Sequence, residues 1–182
     1  MLRIISGKYR HRQIDQPNTT NTRPTMDRVR EAIFSSIHFQ IEGKIVLDLF
    51  AGSGSFGIEA ISNGAMKSVL VDNNGDAINT IKNNLSKLEI HNAEVFQKNA
   101  IDFLTNMTGR EFNFIFVDPP YAEYDLLNQS LNLILQNGFL AKYGQIIVET
   151  DNPDKIILPK GLTYAKEKKY GQVYVLFIDH IR

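Results

Sequence analysis

Five short apolar runs, separated by four segments of helical period, limit the folds open to this chain of 182 residues. The runs fall at residues 45–50, 68–72, 93–97, 112–117 and 145–149, and the helical patterns at about 55–63, 75–88, 100–107 and 124–137. A run such as FNFIFV at 112–117 is apolar at nearly every position, as expected of a strand covered on both faces. Strand and helix in alternation imply parallel βαβ units with helices on both sides of one sheet. After residue 150 the alternation stops. Residues 162–169 and 172–179, joined by Tyr170-Gly171, read as two antiparallel strands. The expected fold is α/β: a doubly wound, mainly parallel sheet of seven strands with an antiparallel hairpin at one edge.

The front of the chain is different. Residues 1–16 alternate loosely around the turn-like Ser6-Gly7-Lys8 and suggest a small β-hairpin, and PNTTNTRP at 17–24 is a loop of turn formers. From Thr25 onward, Val29, Ala32, Ile33, Ser36 and Ile37 share one helical face, with Thr25 or Asp27 as the cap. This divides the chain into an arm over 1–24 and a domain over 25–182. The 20 basic and 20 acidic side chains cancel, which would argue against a nucleic-acid partner. The average hides an asymmetry: residues 1–30 carry +5, with six of the eight arginines, and the remainder −5. Arginine's planar fork suits phosphate contact better than lysine's point charge.

Composition excludes other classes. No apolar run approaches the ~18 residues of a membrane helix. The opening MLRIISGKYRHR carries charges where a signal peptide needs its apolar segment. Without cysteine there is no disulfide framework, Cys-zinc site or thiol nucleophile, and the four histidines have no ligand spacing, so no metal is expected. A cytoplasmic protein fits these features.

The first run leads into VLDLFAGSGSFG, where Gly52, Gly54 and Gly57 satisfy G-x-G-x-x-G ahead of a helix. Such glycines permit a tight turn and close approach of a ligand to the backbone. Asp72, at the end of the second run, can accept both hydrogen bonds of a ribose diol. Asp48 just before the loop would sit badly beside the pyrophosphate of a nicotinamide dinucleotide and well beside an ammonium group. The ligand joining ribose, adenine and an amino acid is S-adenosylmethionine. The fourth run ends in Asp118-Pro119-Pro120-Tyr121. Two prolines fix the backbone and remove two donors, leaving outward carbonyls. A carboxylate oxygen and a proline carbonyl can together accept both hydrogens of an exocyclic amine, and Tyr121 offers a stacking face for the base. A nicotinamide oxidoreductase remains an alternative from another class.

DLFAGSGSFG followed by DPPY resembles the class I S-adenosylmethionine-dependent amino-methyltransferases, whose fold is Rossmann-like. The whole chain is similar to the RsmD family, bacterial methyltransferases of guanine N2 in small-subunit ribosomal RNA. The resemblance runs through Arg3-Ile-Ile-Ser-Gly-Lys8, RPTMDRVREAIF at 23–34, Leu47 to Gly54, Gly57-Ile-Glu-Ala60, FVDPPY at 116–121 and Tyr170-Gly171.

The resemblance implies a cofactor site of Thr25, Asp48, Phe50, Ala51, Gly52, Gly54, Asp72, Asn73, Asn99, Ala100 and Asp118. Asp72 would hold the ribose hydroxyls and Asn99-Ala100 would face the adenine, although family members often carry Asp where this chain has Asn99. Ser6 replaces a more usual glycine, with little expected effect. Asp118, Pro119, Pro120 and Tyr121 would be catalytic. Arg3, Lys8, Arg10 and Arg12 would meet RNA phosphates, while Arg23, Thr25 and Arg28 would close over the active site. The implied substrate is the guanine at position 966 of 16S rRNA, in a small subunit or assembly intermediate, acted on by a monomer. An adenine-N6 methyltransferase of DNA or RNA is the nearer rival, since DPPY serves both bases. A glutamine methyltransferase usually shows Asn in place of Asp118.

Overall fold

The computed structural model describes residues 1–18, 27–120 and 122–182. Two minimal strands, β1 (Leu2–Arg3) and β2 (Gln13–Ile14), pair antiparallel at the start of the chain. Helix α1 (Asp27–Ile37) follows. Then strand and helix alternate: β3 (Ile45–Asp48), α2 (Ser55–Ser62), β4 (Lys67–Asp72), α3 (Gly75–Lys87), β5 (Ala93–Gln97), α4 (Ala100–Asn106), β6 (Phe112–Val117), α5 (Tyr124–Gln136) and β7 (Leu140–Thr150). The chain ends in β8 (Leu162–Tyr170) and β9 (Val173–His180). Among the described residues, no helix is long and apolar enough to cross a membrane.

The seven-stranded sheet has the order β5-β4-β3-β6-β7-β9-β8, parallel from β5 to β7 and antiparallel across β9 and β8. The expected fold is the observed one. Each expected strand and helix is present, with the largest difference at β7, which starts at residue 140 and not at 145. The reason is a shift in register: Phe112 pairs with Leu140, but Phe114 pairs with Gln145. The extra residues break the alternation by which strands are recognised in a sequence.

Apolar side chains divide by sheet face. Val29, Ile33, Phe34 and Ile37 of α1 join Phe56 and Ala60 of α2 over Val46, Phe116, Ile147 and Phe177. Farther along the same side, α2 and α3 pack over Leu70 together with Ile4 and Ile14. Helices α4 and α5 cover the other face through Phe103, Leu104, Leu127, Leu131 and Ile134. Order reverses where β3, whose crossovers run toward β5, lies beside β6, and ligands of open α/β sheets bind at the carboxyl ends of strands beside such a switch point.

The arm is not a loose basic tail. Ile4 and Ile14 are fully buried against α2 and α3. Its turn lies against Ser62, where the Lys8 amide donates to the Ser62 carbonyl at 2.7 Å. A Cβ on Gly7, which has φ of +81°, would stand 1.9 Å from that carbonyl oxygen, so only glycine fits. Ser62 ends α2, and α2 runs from the carboxyl edge of the sheet to its amino edge. The arm therefore reaches the far end of the molecule at residues 6–11 and returns to the ligand edge at Gln16 and Pro17.

Glu59 on α2 fastens this arrangement. Its carboxylate accepts from the Ile5 amide at 2.7 Å, from the Ser6 amide and hydroxyl at 3.1 Å each, and from Arg30 Nη1 at 3.3 Å. Arg30 Nη1 also donates to the Arg3 carbonyl at 3.0 Å, and Nη2 to Asp27 at 2.7 Å. Two expectations are corrected here. Arg30, counted in the +5 of residues 1–30, is 0% exposed and spends its charge on Glu59 and Asp27. Ser6 is not incidental, because its hydroxyl also receives Asn63 Nδ2 at 2.9 Å.

Glu59→Ala strips buried Arg30 of one of its two carboxylate partners, leaving Asp27, and frees the Ile5 and Ser6 amides of the arm. The expected loss of unfolding free energy is about 3–5 kcal/mol, measured by chemical denaturation.

Candidate active site

A cavity of about 580 Å³ lies at the carboxyl edge between the ends of β3, β4, β5 and β6. That is the size of a small-molecule site. Its floor is made by the turn after β3, where Gly54 adopts φ of +85° at the start of α2. The turn is tied to the neighbouring strands by Leu49 N–H to the Phe116 carbonyl at 3.1 Å and Ala51 N–H to the Val71 carbonyl at 2.9 Å.

Asp72 faces the cavity from the end of β4. One carboxylate oxygen accepts from the Gly52 amide and the other from the Asn74 amide, both at 2.9 Å. Those bonds fix the plane of the carboxylate and leave lone pairs on both oxygens for a diol. Asn74 caps α3 by accepting from the Asp76 and Ala77 amides.

Asp48 lies beneath this floor, 1% exposed, and accepts from the Gly57 amide at 3.0 Å. Burial pushes its pKa up to about 7, the Gly57 hydrogen bond opposes this, and the charge of Asp72 adds to it. A cation bound above it would favour the ionised form.

Across the cavity stand Asp118, Pro119 and Pro120, with Glu123 and Leu126 from the start of α5. The same three residues and Glu123 also line a second, smaller recess of about 30 Å³, completed by Tyr124, Glu149, Thr150 and Asp151. Asp118 to Pro120 thus form the wall shared by two recesses.

Comparison with known proteins agrees with this geometry. Residues 2–179 match the family described as "Conserved hypothetical protein 95". "Ribosomal RNA small subunit methyltransferase D" of Escherichia coli K12 is 37% identical over 173 residues, covering 94% of this chain and 86% of that protein. The chain belongs to this family, the RsmD family. The solved structure of the yhhF methyltransferase candidate of Escherichia coli superposes with a TM-score of 0.87 at 34% identity, covering 98% of this chain and 97% of that one. A methyltransferase candidate called SMU.776, solved in complex with SAH, shares the fold at a TM-score of 0.63 and 19% identity, over 84% of this chain and 48% of that one.

Of the cofactor residues the RsmD resemblance implies, Phe50, Ala51, Gly52, Asp72, Asn73, Asn99, Ala100 and Asp118 line the large cavity. Asp48 and Gly54 do not; Gly54 belongs to the turn that makes the floor, and Asp48 lies beneath it, bonded to the Gly57 amide. Thr25, Arg23 and Tyr121 lie outside the described residues. The Asn99 side chain is committed elsewhere: its oxygen caps α4 by accepting from the Asp102 amide at 2.8 Å, and its Nδ2 donates to the Asp102 carboxylate at 3.0 Å. Asn99 lines the cavity while its side chain is held by these two bonds. Asp102, held by that contact, is itself in the cavity wall.

The lining includes residues that sequence reasoning missed, namely Leu2, Gln16, Pro17, Lys98, Asp102 and Glu123. The first three come from the arm, whose docking has no local signature. Asp102 and Glu123 lie three residues beyond Asn99 and Pro120, within reach of a reading that looked one helical turn past each motif.

The raised pKa of Asp48 has a definite sign. The folded chain keeps a proton that the unfolded chain releases above 3.8, so this contribution is full below that pH and is lost as pH rises through about 7. Asp48→Asn should therefore flatten the fall in stability toward pH 7 and raise the unliganded protein's stability above it, by at most about 4 kcal/mol. Unfolding free energies across the pH range check this.

Proposed function

We propose that this chain transfers a methyl group from S-adenosylmethionine to the exocyclic N2 of a guanine in 16S rRNA, the guanine at position 966. The observation that carries the reading is the shared wall: a donor in the large cavity and a base amine in the smaller recess would meet at Asp118, Pro119 and Pro120.

The residues present suit the donor. Asp72 offers acceptors for a ribose diol, Phe50, Ala51 and Ala100 offer apolar surface, and Asp48 supplies negative charge below the floor where an ammonium group would lie. When bound, S-adenosylmethionine supplies a sulfonium methyl group that is already activated. The protein's task is then mainly alignment. The Asp118 carboxylate and the Pro119 carbonyl accept the two amine hydrogens and turn the nitrogen lone pair toward the donor side. Asp118 also offsets positive charge growing on that nitrogen, and Tyr121 stacks on the base. Reaching a base edge requires taking the base out of its stack, which costs least in a single-stranded loop.

Residues 25–182 act as the methyltransferase domain, and residues 1–24 form the RNA-binding arm, of which the described residues 1–18 dock on it. Within the arm, Lys8 and Arg10 extend from the turn, whereas Arg3 is paired with Asp27 at 2.9 Å and Arg12 donates to the Lys87 carbonyl at 3.2 Å. With Arg23 and Arg28 they give salt-dependent affinity. The enzyme acts as a cytoplasmic monomer on the small subunit or an assembly intermediate.

Transfer of labelled methyl to unmodified small subunits, naked rRNA and DNA tests the reading. Nucleoside analysis should give N2-methylguanosine; N6-methyladenosine would replace the proposed base, and no transfer to RNA would refute the reading. Asp118→Ala should lower transfer by at least ~10²-fold while S-adenosylhomocysteine affinity, followed by calorimetry, stays within a few-fold.

A further inference from the structure

The last two strands carry a feature that the methyl-transfer site does not use. In β8, Tyr164 pairs with Ile178, but the next partner, Phe177, lies opposite Lys166, so Ala165 is an extra residue. Such a bulge reverses which side chains face which side of the sheet. Beyond it, Lys166, Lys168 and Tyr170 lie opposite Phe177, Val175 and Val173. Those three partners belong to the core beneath α1. Glu167, opposite Leu176, is turned to the other face.

Side-chain contacts agree with the register. The Lys166 ammonium stands over the Phe177 ring at 5.2 Å, and Lys168 Nζ donates to Ser36 Oγ of α1 at 2.9 Å. Arg28 lies over the Tyr170 ring at 6.0 Å. Three cations therefore share one face, and among the described residues none of them forms an ion pair. The flank of α1 toward β8 carries Arg28, Ala32 and Ser36; Asp27, on the opposite flank, is engaged by Arg3 and Arg30. Partial burial, and next the charge of Lys166, hold the Lys168 ammonium below its ordinary pKa. Lysines on an edge strand often only discourage pairing with another sheet. That role does not call for gathering them on one face beside an arginine, where they repel one another.

Tyr170 ends β8 at the carboxyl edge of the sheet, and Tyr174 pairs with Thr150, which lines the small recess beside Asp118. The arm turn with Lys8 and Arg10, by contrast, is at the amino edge. A chain of phosphates entering the recess has this rim within reach.

We propose that Lys166 and Lys168, with Arg28 over Tyr170, hold the phosphate backbone adjoining the target nucleotide, on the side of the recess away from the cofactor cavity. This rests on the RNA reading above. Electrostatic contact of this kind positions a strand without reading its sequence.

The double variant Lys166→Gln, Lys168→Gln keeps both stems on the sheet and removes the charges. Its binding to an unmodified small-subunit rRNA fragment, followed by anisotropy over a range of salt, should weaken, with the slope of log affinity against log salt smaller by about 0.7 per lysine lost. The KM for RNA should rise while kcat at saturating RNA and S-adenosylhomocysteine affinity stay unchanged. Lys166→Arg, Lys168→Arg should restore the slope. Wild-type slope and KM in the glutamine variant would overturn the rim while leaving the methyltransferase reading intact. Absence of RNA binding and of methyl transfer in the wild type would overturn both.

Discussion

The contact between Glu59 and Arg30 holds three parts of the molecule together. Glu59 belongs to the helix that follows the glycine turn, Arg30 to the helix that precedes the first central strand, and the amides of Ile5 and Ser6 to the arm. Both charged side chains are 0% exposed, so neither can fall back on water. Burial pushes the Glu59 carboxyl up, while the Ile5 amide and the guanidinium pull it down. Such clusters add little net stability compared with apolar packing, but they are costly to break and tolerate few alternative arrangements. Here the arrangement enforced is that of the arm against α2, and α2 begins at the floor of the cavity.

A second tension lies in that floor. Two carboxylates, Asp48 and Asp72, approach it from adjacent parallel strands, one buried and one facing the cavity. Burial first, and to a smaller degree the charge of Asp72, makes the buried one hold its proton when no cation is nearby. The site is thus held in a less favourable electrostatic state than a neutral pocket would be, and a ligand of the right charge relieves it. Hydrogen bonds from the Gly52, Asn74 and Gly57 amides keep the geometry while this tension persists.

Much of this was legible in the sequence, and unevenly so. The alternation of apolar runs and helical periods marked nearly every element, because strands buried on both faces leave a dense and local pattern. The glycine turn, Asp72 and DPP could be placed in one crevice because a parallel sheet brings its carboxyl ends together. What was not legible depends on contacts between distant segments. Arg30 has the same letter as Arg28, two residues away, yet one is buried and the other exposed. Asn99 stands where an adenine contact was expected, but its oxygen serves the helix that it caps. The bulge at Ala165 decides which lysines share a face, and nothing in LTYAKEKKY reveals which residue is the extra one.

The arm contributes Leu2, Gln16 and Pro17 to the wall of the large cavity while its turn is anchored at the far end of α2. A molecule filling that cavity touches a segment that must stay docked for the wall to be complete. Linkage then works in both directions: whatever affinity the docked arm lends the ligand, the ligand returns as protection of the arm against opening. Amide hydrogens at the start of the chain should therefore report cavity occupancy from a distance, the amide of Lys8 among them.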